Sequence, residues 1–296
     1  MTKQEIIDQA VWAARNGYAS ICLQAGERRD EKFISFIEEC LREIHKQTVS
    51  DVLPDGVGVT LSLGEQTKEV YERWAVASGN RSNLRYLARF ETSNADLFSM
   101  LHSAKGKYEK ILDHRLECLK YLKECGYQVG TGVMIGIPGQ TLKDLCMDIR
   151  MFQQVDADMI GMGPYLMSEE ADLESLGQME NKALFQLSLN MIAVTRLVMG
   201  NINIAAATAL QVLHPEGREI AIEYGCNVIM PNLSPTKFRE GYQLYDHKPG
   251  LNDDPFHFGL HLEERIQSRG REVGWNESGS SRKWLMKQEK QEQLPC

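Results

Sequence analysis

Apolar positions along this chain follow two rhythms that take turns. Segment 3–16 has the spacing of an amphipathic helix and stops at Gly17. Segment 19–23 is a short apolar run of strand type, followed by a helical pattern over 31–46. The pair then repeats as strand 57–63 with helix 68–77, strand 84–90 with helix 108–125, and strand 129–137 with helix 142–155. Strand 158–162 with helix 182–199, strand 203–207 with helix 216–224, and a strand at 227–230 complete the series. Such alternation predicts parallel βα units, hence an α/β fold. Seven strands in a chain that opens on a helix suggest a (β/α)8 TIM-type barrel whose first strand is absent. An open doubly wound sheet is the alternative, but it leaves helix 3–16 no strand to pack beside. The barrel is assigned to residues 1–245 and a C-terminal extension to 246–296. That extension is loop-rich, and its polar, Gly-, Ser- and Lys-containing part at 267–296 reads as weakly structured or disordered.

Composition narrows the function. The 296 residues are 43% hydrophobic and 25% charged, an ordinary globular balance. A net charge of −8 without a basic block argues against nucleic acid as a partner. No apolar run reaches membrane-spanning length, and the polar N-terminal helix resembles no signal peptide. Cys22, Cys40, Cys118, Cys125, Cys146, Cys226 and Cys296 are scattered and odd in number, with no C-x-x-C. Free thiols in a reducing compartment follow: the cytoplasm, or an organelle in a eukaryote. Cys118 and Cys125 share a helix face and read as packing residues.

In α/β folds ligands bind at the C-terminal ends of strands, so those ends hold the candidate chemistry. The most informative is GYQVGTGVMIGIPGQT, residues 126–141. An apolar strand there meets Gly136, Pro138 and Gly139, and Thr141 is placed to cap the next helix with Asp144 in its first turn. Such a turn leaves backbone N–H groups free for a ligand; the plain alternative is a tight loop that needs glycine for its angles. Other ends carry Gln24-Ala25-Gly26-Glu27, Ser62-Leu63-Gly64-Glu65, Arg89-Phe90-Glu91-Thr92, Gly161-Met162-Gly163-Pro164, Ala206-Ala207-Thr208 and Met230-Pro231-Asn232. Glu27, Glu65 and Glu91 suit an amine, a ribose hydroxyl or proton transfer, and Arg89 and Arg115 suit a carboxylate. Each has a plainer reading: a glutamate in a first helical turn, an Arg89–Glu91 pair across a strand end, a solvated Arg115 on a helix. Tyr242 and Tyr245 read equally as packing aromatics, and His102, His114 and His214 show no ligand spacing.

The segments LQAGE, VTLSLGE, RYLARFETSN, GYQVGTGVMIGIPGQT, DADMIGMGPY and GREIAIEYGCNVIMPNLSP, in this order, resemble the HydE family of radical S-adenosylmethionine (SAM) enzymes, maturases of [FeFe]-hydrogenase. Biotin synthase and methylornithine synthase are more distant relatives with the same barrel. The resemblance covers residues 2–245 and implies SAM and a [4Fe–4S] cluster as cofactors. It implies reductive cleavage of SAM to a 5′-deoxyadenosyl radical that acts on a small sulfur- or iron-containing precursor, with other maturation proteins as partners. By position, Gln24, Ala25, Gly26 and Glu27 match the segment that holds the methionine amine. Glu91 matches a SAM-binding glutamate, Arg115 an arginine on the SAM carboxylate, and Gly136, Ile137, Pro138 and Gly139 the turn along the adenine. Ser62, Glu65, Arg89, Thr208, Tyr242 and Tyr245 fall on the substrate cavity.

The departures from the family pattern are as informative. The C-x-x-x-C-x-x-C that holds the cluster is missing, so no metal ligands are assigned, and the chain as written is not expected to cleave SAM. Residues 248–265 contain no cysteine, which excludes a second cluster there, and Ala207-Thr208 replaces a Thr-Thr pair. Two alternatives stand beside the leading one: a cluster-less barrel that binds a ligand or partner, and a synthase of the biotin or methylornithine type.

Overall fold

The computed structural model describes residues 1–102, 108, 110–167, 177, 179–239 and 255–292. The first half contains α1 (Lys3–Arg15), β1 (Ser20–Gln24), α2 (Glu31–Thr48), β2 (Gly58–Ser62), α3 (Lys68–Ala77), β3 (Leu84–Leu87), α4 (Ala95–Leu101), α5 (Leu112–Glu124), β4 (Gln128–Thr131) and β5 (Met134–Ile135). The second half contains α6 (Leu142–Gln154), β6 (Met159–Pro164), α7 (Asn181–Met199), β7 (Asn203–Ala206), α8 (Leu210–Leu213), α9 (Gly217–Glu223), α10 (Thr236–Arg239), α11 (Pro255–Gln267) and α12 (Arg282–Glu292).

Every strand pairing is parallel. The order runs β1-β2-β3-β4-β6, with β7 on the far side of β6 and β5 prolonging β4 along β6. This is the parallel sheet with outer helices of an incomplete barrel, as the alternating pattern predicts. The break between β4 and β5 falls at Gly132, where a Cβ would stand 1.7 Å from the Gly161 carbonyl oxygen. Two facing glycines therefore let the backbones of neighbouring strands touch.

Helix starts follow the chemistry of the orphan N–H groups. Thr2 with Glu5 and Thr141 with Asp144 form capping boxes, and Asp30 caps α2. Tyr86 of β3, Tyr71 and Trp74 of α3 and Tyr127 before β4 are almost wholly buried, yet each polar tip has a partner. Tyr86 donates to the Gly64 carbonyl (2.8 Å), Tyr127 to that of Tyr71 (2.7 Å) and Trp74 to that of Ile34 (3.1 Å), and the Tyr71 hydroxyl accepts the Gln66 N–H (3.0 Å). Aromatic bulk is thus buried without stranding a donor.

Three sequence expectations are corrected. The strand at 227–230 is reduced to one bridge, Ala205 with Val228, because the Asn227 carboxamide, rather than a continued ladder, takes the Ile204 N–H (2.8 Å). The helix expected from Tyr108 begins at Leu112. The polar stretch expected to be weakly structured instead closes the lower end of the sheet. Arg85 donates to Ser20 Oγ (2.8 Å), the Ser278 carbonyl (2.6 Å) and Ser280 Oγ (3.1 Å). Gln128 reaches Ser280 Oγ (2.8 Å) and Asn203 the Gly279 carbonyl (2.7 Å). Polar residues at the strand starts need partners there, and a polar segment supplies them. Lys283 and Lys287 of α12 then lock onto Asp156 (2.6 and 3.0 Å), and Lys287 also onto Asp158 (2.7 Å).

A half-open cavity of about 2410 Å³ lies beside the strands, its wall including Thr60, Arg85, Leu87 and Met159. Among the described residues β1 has one strand neighbour, β2. Gly132→Ala is expected to cost more than about 3 kcal/mol, because relief of the collision requires two strands to part. Loss of the cooperative urea transition, or a midpoint far below that of the parent, is the readout.

Candidate functional site

At the upper end of β1 and β2 two carboxylates are drawn together by a glycine. Gly64 has φ +80, and a Cβ there would lie 2.4 Å from Cγ and Oε2 of Glu27. Glycine alone leaves room for Glu27 to lie over the 64–65 backbone, where it accepts the Glu65 N–H at 2.9 Å. Glu65, fully buried beneath it, pairs with Arg115 Nε (2.5 Å), Lys110 Nζ (3.0 Å), Arg29 Nη2 (3.3 Å) and His114 Nδ1 (3.3 Å). Glu27 shares Arg29 Nη2 (2.7 Å) and Lys110 Nζ. Burial works to raise the Glu65 carboxyl, but Arg115 and Lys110 prevail and hold it below the usual range. Arg115 is therefore not a solvated helix residue; it also donates to the Arg89 carbonyl, tying β2 to the segment after β3.

Glu91 stands one lane further. Its backbone is left-handed at φ +63, rare for a residue with a side chain, and is held by the bonds Glu91 N–H to Gly132 O (3.0 Å) and Met134 N–H to Glu91 O (2.9 Å). Its carboxylate lies 3.0 Å from Arg89, as the plainer sequence reading allowed, but Oε2 accepts no aligned hydrogen bond. Arg89 Nε likewise lacks an acceptor, while Nη2 donates to the Val133 carbonyl (2.7 Å). A half-satisfied acid and a half-satisfied guanidinium thus stand together at one strand end.

The loop after Glu91 is fixed by a residue that the sequence pattern did not reveal. Asp148 of α6 accepts both the N–H and the hydroxyl of Ser93, each at 2.6 Å, while its Oδ2 has no partner. Burial pushes its carboxyl up to about 6 against the pull of the Ser93 bonds. Nothing in the spacing of a helical aspartate discloses a partner 55 residues away.

The turn at 136–139 differs from expectation. Two of its N–H groups are not free: the Gln140 carboxamide accepts those of Gly136 (2.8 Å) and Ile137 (3.3 Å) and donates to the Met134 carbonyl (3.1 Å). What the turn presents is packing surface, with Ile137 buried against Leu97 and Tyr165, Pro138 half-buried and Gly139 exposed at φ +82. Gln24, Ala25 and Thr208 lie on the cavity wall; Glu27, Glu65, Arg89, Glu91 and Arg115 do not. Gly26 is exposed, and Ser62 is half-buried, its carbonyl taking the Ala25 N–H (3.2 Å). Tyr242 and Tyr245 lie outside the described residues.

The donor chemistry does not fit an iron–sulfur cluster. Among the described residues no three His, Cys, Asp or Glu side chains gather as metal ligands. Cluster iron takes thiolates, whereas burial pushes Cys226 up to about 12 and Cys40 and Cys125 up to about 11.

No family model matches the chain. Over 249 residues it is 40% identical to the [FeFe] hydrogenase maturase subunit HydE of Thermotoga maritima. This chain is a HydE homologue. The match takes in 84% of the homologue and 65% of the HydE length, so the chain spans under two thirds of that relative. Among solved structures, methylornithine synthase PylB superposes with a TM-score of 0.68 at 18% identity, covering 93% of the homologue and 74% of PylB. HydG, a maturase of the [FeFe]-hydrogenase, also gives 0.68, at 16% identity, covering 92% of the homologue and 57% of HydG. At such identities these two establish the shared barrel fold.

The Asp148 geometry gives the homologue a distinctive pH response. Its folded-state pKa lies above the unfolded value near 3.9, so the protonated form favours folding. Stability is fully present below about pH 4 and falls as pH rises through about 6, by on the order of 2 kcal/mol. In Asp148→Asn, which keeps an acceptor for Ser93, that slope is expected to vanish. Urea midpoints from pH 4 to 7 decide it, and an unchanged slope would place the titration elsewhere.

Proposed function

We propose that the HydE homologue binds SAM at the upper ends of β1 to β4, within a radical SAM maturase of [FeFe]-hydrogenase. The observation that carries this is that Glu27 after β1 and the Arg89–Glu91 pair after β3 are linked through Glu65 and Arg115 across the end of β2. An α-amino acid terminus needs that set: carboxylates for its ammonium, a guanidinium fork for its carboxylate. Glu27, already aimed by the Glu65 N–H, and Glu91, whose Oε2 is ion-paired to Arg89 without an aligned hydrogen bond, would take the amine. Arg89, with Nε unbonded, would take the carboxylate, and Arg115 holds the wall behind it. The Ile137–Pro138–Gly139 surface would face the adenine through packing, since the Ile137 N–H is engaged by Gln140.

In the whole protein, the proposed reaction is reductive cleavage of SAM to a 5′-deoxyadenosyl radical acting on a small sulfur- or iron-containing precursor, with other maturation proteins as partners. A [4Fe–4S] cluster supplies the electron for such cleavage when bound; the described residues offer no ligand set for it. That donor set favours a second reading, a barrel that binds the same ligand without cleaving it. The acidic charge of −8 agrees with a small-molecule rather than a nucleic-acid role, and no described helix is long and apolar enough to cross a membrane. A cytoplasmic setting is part of the proposal.

Calorimetric titration with SAM tests the site. Glu27→Gln is expected to weaken binding about tenfold, the worth of one charge-assisted hydrogen bond. Equal affinity of parent and variant would remove Glu27 from the site. Anaerobic addition of iron, sulfide and reductant separates the readings: 5′-deoxyadenosine release supports the radical enzyme, and SAM binding without iron uptake supports the binding barrel.

A further inference from the structure

The cluster at Glu27 and Glu65 holds one cation that the fold does not require. Arg115 is built into the scaffold, since it joins Glu65 to the Arg89 carbonyl. Arg29 follows Glu27 by two residues and lies over the Tyr108 ring, its guanidinium carbon 4.4 Å from the centroid. Lys110 comes from 83 residues away, ahead of α5, and its ammonium rests on both carboxylates, at hydrogen-bond distance from Glu27 and 3.0 Å from Glu65. Its side chain is 17% exposed, so it is shielded but reaches the surface.

An ammonium with its donors on Glu27 and Glu65 makes the bonds that a ligand amine would make there. The charge balance sharpens this. Two carboxylates already face Arg29, Lys110 and Arg115, with His114 at 3.3 Å. A further ammonium would enter a cluster in which cations already outnumber acids. With Lys110 gone, two acids would face two guanidinium groups, and Glu27 would be open to a new donor.

We propose that Lys110 is an internal occupant of the ammonium subsite, and that a ligand amine binds by displacing it. The inference rests on the reading of Glu27 as the SAM amine site. Lys110 then sets the affinity of the site: each binding event breaks its pairs with Glu27 and Glu65 before the ligand ammonium forms its own. Glu65 keeps Arg115 when Lys110 leaves, so no buried charge is stranded.

The test titrates the parent chain and Lys110→Met with SAM and with 5′-methylthioadenosine, which shares the nucleoside but lacks the amino acid arm. Lys110→Met is expected to bind SAM at least about fivefold more tightly and 5′-methylthioadenosine no differently. In the parent, saturating SAM is expected to speed acetylation of Lys110 severalfold, read by peptide mass spectrometry. Equal or weaker SAM binding by the variant, or Lys110 no more reactive with SAM bound, overturns the inference alone. Equal tightening for both ligands also overturns it, because the lysine would then act away from the amine. If neither protein binds SAM, the reading of the site falls and this inference with it.

Discussion

The buried pair of Glu65 and Arg115 is the interaction on which the upper end of this barrel depends. A carboxylate with no solvent exposure is costly unless its charge is met at close range. Arg115 meets it at 2.5 Å, and the same guanidinium donates to the Arg89 carbonyl, so one side chain of α5 joins the end of β2 to the segment after β3. With Glu65 fixed, its backbone N–H is aimed, and that N–H orients Glu27. The room that Gly64 leaves makes the arrangement possible. Glycine, buried acid, helix arginine and the half-buried Glu27 therefore form one chain of dependence.

The two ends of the sheet solve opposite problems. The lower end is filled by the chain itself: serine hydroxyls and backbone carbonyls of the 278–280 segment answer Arg85, Gln128 and Asn203. Among these three side chains Nε of Arg85 alone is left over there, whereas at the upper end Nε of Arg89 and Oε2 of Glu91, ion-paired to Arg89 at 3.0 Å, both lack an aligned hydrogen bond. An acid and a guanidinium left short of hydrogen bonds side by side are groups from which a polar ligand gains on entry.

Much of this was legible in the sequence because it is local. Parallel βα alternation reads directly from periodicity, and the capping pairs Thr2–Glu5 and Thr141–Asp144 are visible at three-residue spacing. Glu27, Glu65 and Glu91 could be named because each follows an apolar strand. What was not legible is non-local. Gln140 taking over the N–H groups of the glycine turn, Asp148 holding Ser93 and Lys110 on Glu27 depend on how elements pack, and no propensity encodes that. The tail misled for a related reason: its polarity suits solvent, and it suits equally the polar floor of a barrel. Strand 227–230 failed as a strand because an asparagine side chain displaced the backbone from the ladder.

The floor has a consequence in time. Arg85 is synthesised 193 residues before the Ser278 carbonyl that it binds. While the chain is being made, every strand can be laid down before the segment that seals them exists. Through that interval Ser20, of the three serines that Arg85 binds, is the one already made. The segment at 278–280 can therefore dock on the strand starts only after every strand it covers has been made.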